Sequence, residues 1–326
     1  MARIDRLNPI QQYLVHEFVE DYQDGLMSRR GLVGRVLRIT GNAAAAATIL
    51  TALGVKAGGA EMMAVQAVEG AQSPLSVDAD DPRVVADEVT FPAADGATLM
   101  AYVAKPAGAG GTSTPATPVP IAPFPVVLVC HENRGMNDHV RDVARRYAVN
   151  SYLAVAIDLL SREGGTAAVA DPEEIPAILS EGDPNRHVAD FQSAITWLGE
   201  VPEADLARLG MNGFCFGGGI TWLAATQVAE LKAAVPFYGP PPPLDAVPNI
   251  KAAVLGVYSD DPDDFANNGR DELVAALEAA GVTHQINVYP DSQHAFHNDT
   301  GQRYSEAAAL AAWEDTLNWF ATYLVA

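Results

Sequence analysis

The stretch Leu209-Gly210-Met211-Asn212-Gly213-Phe214-Cys215-Phe216-Gly217-Gly218-Gly219 decides the fold. An apolar run stops at a cysteine with glycines two residues before and after it, and helical spacing resumes at once. This is the pattern G-x-Nuc-x-G, a strand that turns directly into a helix around a nucleophile, with cysteine in the serine position. The glycines are a steric requirement of so sharp a turn, and the nucleophile itself takes a strained backbone. The N-terminal end of the helix then aims its dipole and free N–H groups at the sulfur, which favours a thiolate and an oxyanion.

Outward from this elbow the chain alternates. Residues 125–130, 153–158, 209–214, 233–238, 252–258 and 285–289 read as strands. Residues 140–147, 187–198, 217–227, 272–280 and 305–324 read as helices. Apolar β-branched runs alternating with helices predict an α/β fold, a mostly parallel sheet covered on both faces. Residues 89–91 and 99–103, around Asp95-Gly96, predict a β-hairpin ahead of it. The Gly/Ser/Thr/Pro-rich residues 107–124 read as a surface insertion.

In such a sheet the working residues sit on loops at the carboxyl ends of strands. His294 follows the last strand and is the candidate general base; His297 is second, and His16, His139, His187 and His284 are read as surface residues. The orienting acid must come from Asp260, Asp261, Asp263 or Asp264. Asp263 is favoured, since Asp264-Phe265-Ala266 anchors the loop behind it, and Asp261 is the runner-up. Of the two cysteines, Cys215 is the nucleophile, while Cys130 ends a buried strand and packs.

Residues 1–80 form a different region, a helical arm with a linker, and residues 81–326 the catalytic domain. Ile10, Tyr13, Leu14, Phe18 and Tyr22 recur at helical spacing with Glu17, Glu20, Asp21 and Asp24 between them, an amphipathic helix. Ser28-Arg29-Arg30 then precedes the apolar residues 43–55, too short a run for a bilayer span of about 20 residues. Two fates follow. Either the arm packs on the domain of a cytoplasmic protein, or it is a Tat-like export signal cleaved near Val65-Gln66-Ala67. Membrane contact arises only if the arm is an anchor.

The 326 residues, 49% hydrophobic and 19% charged, suffice for a sizeable core. The formal net charge of -21, from 20 Lys+Arg against 41 Asp+Glu, argues against nucleic-acid binding. It also repels anionic substrates and favours neutral ones. There is no P-loop, no GxGxxG behind a strand and no HExxH, so no metal or organic cofactor is implied.

Gly213-Phe214-Cys215-Phe216-Gly217-Gly218, His131-Glu132-Asn133-Arg134-Gly135, Asp158-Leu159-Leu160-Ser161-Arg162 and Gln293-His294-Ala295-Phe296 together resemble the dienelactone hydrolase family of α/β-hydrolases. The likeness covers residues 85–326, and the Cys215–Asp263–His294 spacing is similar to that family's. It implies a Cys-His-Asp triad, with Glu132 beside the nucleophile exchanging partners with the thiol on substrate binding. It also implies an oxyanion hole from the backbone N–H groups of Phe216 and Asn133, and Tyr238 in the pocket. Arg162 matches an arginine that holds a substrate carboxylate. A second such arginine is replaced by Asn298, leaving Arg134 or Arg303 to compensate. The expected activity is therefore hydrolysis of small esters or lactones through a thioester. A thioester, peptide or haloacid substrate, a non-catalytic ligand-binding role and homo-oligomerisation are left open.

Overall fold

Eight strands make a single sheet in the order β1-β2-β4-β3-β5-β6-β7-β8 in the computed structural model, which describes residues 4–55, 73–108 and 123–325. The strands are β1 Val84–Pro92, β2 Thr98–Pro106, β3 Phe124–Cys130, β4 Leu153–Asp158, β5 Ala204–Phe214, β6 Ala233–Phe237, β7 Ala253–Ser259 and β8 His284–Tyr289. β1 and β2 form the antiparallel hairpin and β2 joins β4 antiparallel; from β4 to β8 all neighbours are parallel. β3, β4, β6 and β7 are buried at every position, which is why they read as unbroken apolar runs rather than alternating ones. β5 starts five residues earlier than its apolar stretch, because Ala204 and Asp205 pair with Phe124 and Pro125 before the register shifts.

The covering helices are α4 Asp138–Val149, α5 Ile175–Glu181, α6 Pro184–Leu198, α7 Phe216–Gln227, α8 Arg270–Ala280 and α9 Glu306–Phe320. Before the sheet come α1 Pro9–Gln23, α2 Arg29–Thr40 and α3 Ala43–Ala52. Each of these three starts on a side-chain cap: Asn8 in a capping box with Gln11, then Ser28, then Asn42. Arg29 and Arg30 are exposed at the first turn of α2, and the apolar run behind them forms α3. No helix among the described residues is long and apolar enough to cross a membrane. The Val65-Gln66-Ala67 site and most of the 107–124 insertion lie outside the described residues.

α1 packs against α5 and α7, and its Leu14, Val15 and Phe18 are fully buried in the same core as the sheet. Two histidines read as surface residues are core residues instead. His187 bonds the Leu179 carbonyl at 2.9 Å, and His139 Nδ1 lies 2.7 Å from Asp299 Oδ1. Asp299 also accepts from Arg146, Ser76 and the Ser73 amide, tying the loop after β8 to α4 and to the segment ahead of β1.

Candidate active site

Cys215 stands between β5 and α7 with φ +56° and ψ −120°, outside the region L-residues ordinarily adopt. Its neighbours must be glycine. A Cβ on Gly217 would sit 2.5 Å from the Cys130 and His131 carbonyl oxygens, and one on Gly213 would collide with the Gly217 carbonyl. The Cys215 amide donates to the Phe237 carbonyl at 3.0 Å, which locks the turn to β6. Phe216 opens α7, so its N–H is among those left without a helical acceptor, beside the sulfur. Asn133, on the loop after β3, lines the same cavity. Both cysteines are free and buried.

His294 follows β8, with Nδ1 3.1 Å from Asp264 Oδ1. Asp264, not Asp263, orients the imidazole. Asp264 Oδ1 also accepts from the Ala266 amide, and Oδ2 accepts from Ser259 Oγ at 2.5 Å, so the carboxylate is buried and held on both sides. The Asp263 side chain faces solvent and its amide donates to Asp261 Oδ1 at 2.9 Å. The loop therefore turns its inner face to the cleft one residue later than expected. The cap that Asp264 makes on the short turn Phe265–Asn267 is the same interaction that aims it. His297 is buried against the rings of Phe214 and Trp313 and does not reach the cleft.

The remaining expected residues divide. Glu132, Asn133 and Arg134 line a cavity of about 280 Å³ with Cys215 and His294. Glu132 accepts from Asn298 Nδ2 at 2.5 Å, so the residue that replaces the second arginine holds the glutamate. Tyr238 is fully buried with φ +36°, its ring edge-on to His294 at 5.1 Å, and it supports the imidazole rather than lining that cavity. Arg162 is a correction. Its Nη1 donates to both carboxylate oxygens of Asp190 at 2.8 and 2.6 Å, its Nη2 donates to Asp95 at 2.8 Å, and the residue lies outside the cavity. Arg303 does line it, but is paired with Asp21 at 3.1 Å and Asp24 at 2.7 Å, while Arg134 lies 3.9 Å from Asp21.

Two residues of the site come from α1 and were not expected there. The Tyr13 hydroxyl donates to the Tyr238 carbonyl at 3.0 Å and lies 3.2 Å from His294 Nε2. The Cys215 thiol donates to Glu17 Oε2 at 3.4 Å, so Glu17 and not Glu132 holds the sulfur's hydrogen bond. Glu17 is 8% exposed, close to the 2% of Cys215 and 1% of His294. Tyr13, Glu17 and Asp21 recur every four residues, one face of the helix laid across the cleft. Beyond Tyr13 and Phe216 that face opens on a second cavity of about 390 Å³, lined by Ile10, Leu223 and the proline run Pro240–Pro243.

Burial pushes the Cys215 thiol up to about 12, with the Glu17 charge adding to it and His294 opposing. Burial also raises Glu17 to about 7, although the His294 charge pulls the other way. For His294 burial favours the neutral ring, but the charge and hydrogen bond of Asp264 outweigh it and hold the pKa well above the usual imidazole range. Glu17, Cys215 and His294 bring a carboxylate oxygen, a sulfur and a ring nitrogen within 4.8 Å of one another, as Glu20, Asp264 and His294 do with their own donors. These are donor sets a divalent ion could take, both built on His294.

A mostly parallel sheet flanked by helices, with a glycine-flanked strand-to-helix elbow, a histidine after the last strand and an acid after the strand beside it, defines an α/β-hydrolase. The sequence profile of the dienelactone hydrolase family matches residues 112–324. A protein of Methylorubrum extorquens, provisionally named carboxymethylenebutenolidase, is 35% identical over 275 residues, covering 81% of this chain and 89% of its own. One of Escherichia coli with the same provisional name is 34% identical over 267 residues, covering 78% and 94%. A crystal structure from Klebsiella pneumoniae, provisionally titled dienelactone hydrolase, superposes with a TM-score of 0.65 at 33% identity, covering 74% of this chain and 99% of that one. The chain belongs to the dienelactone hydrolase family, and it is a hydrolase.

Proposed function

We propose that the protein hydrolyses neutral carboxylic esters or lactones, with Cys215 as nucleophile and a thioester as intermediate. The observation that carries this reading is the row Cys215, His294, Asp264, with the thiol on a strained elbow and the imidazole backed by a buried carboxylate. In the reaction the sulfur adds to the carbonyl carbon, and the N–H groups of Phe216 and Asn133 receive the developing oxyanion. His294 Nε2–H protonates the departing alkoxide and then, as the neutral ring, takes a proton from the water that cleaves the thioester. Asp264 holds the ring tautomer and stabilises its cation. The provisional names of the relatives, carboxymethylenebutenolidase, fit a lactone or enol ester.

Neutrality of the substrate is favoured by the cleft's own charges. Arg303 and Arg134 face carboxylates of α1, and Arg162 is engaged elsewhere, so a substrate carboxylate would compete with Asp21 and Asp24 for its partners. The apolar cavity that begins at Tyr13 and Phe216 suits an alkyl or aryl group of the ester.

The test is a panel of p-nitrophenyl esters and small lactones with wild type and Cys215→Ala, together with mass spectrometry after a covalent ester-derived inhibitor. A loss of at least about 10⁴-fold in kcat is expected for the alanine variant, as for removal of a triad nucleophile. Hydrolysis by Cys215→Ala at the wild-type rate, or a label on Cys130, would overturn the reading.

A further inference from the structure

Resting on that reading, we propose that Glu17, brought into the cleft by the N-terminal helix α1, is a catalytic residue that accepts the Cys215 thiol proton as the sulfur attacks. The geometry is direct. Among the described residues, the hydrogen bond of the thiol goes to Glu17 Oε2, and Glu132, the other glutamate of the cavity, is bonded to Asn298.

His294 is placed for a different duty at that moment. The Tyr13 hydroxyl has one proton, and it goes to the Tyr238 carbonyl. What it offers His294 Nε2 is therefore a lone pair, which pairs with an N–H. With Nδ1 facing the Asp264 carboxylate, both ring nitrogens carry protons and the ring is an imidazolium. An imidazolium cannot take the thiol proton, but it stabilises the thiolate that forms beside it and is ready to protonate the leaving group. The carboxylate of Glu17 supplies the missing acceptor.

The proton count closes. The thiol proton moves to Glu17, and sulfur adds to the carbonyl. As the C–O bond breaks, the Nε2 proton of His294 goes to the alkoxide, and the alcohol leaves. The neutral ring takes one proton from water, and the hydroxide displaces sulfur from the thioester. Glu17 returns its proton to the thiolate, and the acid product leaves as its carboxylate with a proton released to solvent.

The groups facing Glu17 are Asp21 on its own helix, Arg134 on the loop after β3, Cys215 on the elbow and His294 after β8. Burial among them keeps its carboxyl near 7, the range in which a proton acceptor can also return what it took.

The experiment measures two rates on the full chain for wild type, Glu17→Gln, Glu17→Asp and Glu132→Gln: p-nitrophenyl acetate turnover, and alkylation of Cys215 by iodoacetamide at pH 7.5. Glu17→Gln lowers kcat by about 10²-fold or more, the size of a lost general base, and slows alkylation as well, because the thiol proton has lost its acceptor for either electrophile. Glu17→Asp recovers part of the turnover, and Glu132→Gln costs less than Glu17→Gln. Parallel loss of the two rates is the signature, since misfolding would expose the buried Cys215 and speed its alkylation while turnover fell. If Glu17→Gln keeps kcat within about threefold, or while folded alkylates at least as fast as wild type, or if Glu132→Gln is the more damaging, Glu17 is not the acceptor. If Glu17→Gln does not fold, Glu17→Asp decides. An unchanged kcat there, with unchanged alkylation, overturns the proposal; a reduced kcat with slower alkylation supports it. Cys215→Ala in the same assay separates this outcome from failure of the ester reading.

Discussion

The elbow and the arm helix α1 meet at one sulfur atom, yet they were built by different constraints. At the elbow, backbone atoms are so close that Gly213 and Gly217 have no substitute, and the strain at Cys215 is held by hydrogen bonds to β6 and by the first turn of α7. On α1 nothing is strained. The helix is ordinary, and its position comes from apolar side chains on the neighbouring faces, Leu14, Val15 and Phe18. A site can thus take one half of its chemistry from backbone geometry and the other half from packing.

Three substitutions and one condition probe that division. Asp264→Asn, on the strained side, is expected to lower kcat by about 10²- to 10⁴-fold by leaving the imidazole in the wrong tautomer, whereas Asp263→Asn stays within about twofold. Steady-state hydrolysis of p-nitrophenyl acetate measures both, and equal effects would put the acid back at Asp263. Phe18→Ala, on the packed side, removes a fully buried ring with Arg35 stacked over it at 5.2 Å. A loss of about 3 to 5 kcal/mol in urea unfolding is expected. A loss under about 1 kcal/mol would mean that α1 is not held by its core face.

The smallest effect is that of pH on α1. Glu17 is raised to about 7 and Glu20 to about 8, both by burial first. A carboxyl whose folded pKa lies above its unfolded one binds more protons when docked. Its contribution is therefore complete below the unfolded value and is lost as pH rises through 7 to 8. Amide exchange in α1, corrected for intrinsic rates, should speed up by at least about tenfold relative to the sheet between pH 6 and 9. Slower exchange at the higher pH would reverse the assignment.

How much of this was legible in the sequence follows the same division. The elbow, the strands around it and the place of His294 after the last of them could be read because glycines in a sharp turn and apolar runs leave a pattern along the chain. Asp264 was missed by one residue, since four aspartates within five positions are alike until the turn at Phe265 selects the one that faces inward. Glu17 and Tyr13 are read in the sequence only as the polar and apolar sides of an amphipathic helix, with no place in the site. One signal was present: Glu17 follows Leu14 by three residues, Tyr13 by four and Ile10 by seven, so it stands inside the apolar stripe rather than opposite it. Where that stripe would dock is a long-range fact that no local pattern contains. Arg162 was misplaced for the complementary reason, because Asp190 and Asp95 lie 28 and 67 residues away.

The bond between Tyr13 and His294 joins residues 281 apart in the chain. Contacts of such separation form late in folding, because most of the intervening chain must be ordered before they close. The sulfur, the imidazole and the carboxylate of Glu17 therefore come together only when the first helix and the last loop are both in place. On the proposed reading, a newly made chain carries its cysteine through assembly without the neighbours that would make it a nucleophile, and activity is a report that folding has finished.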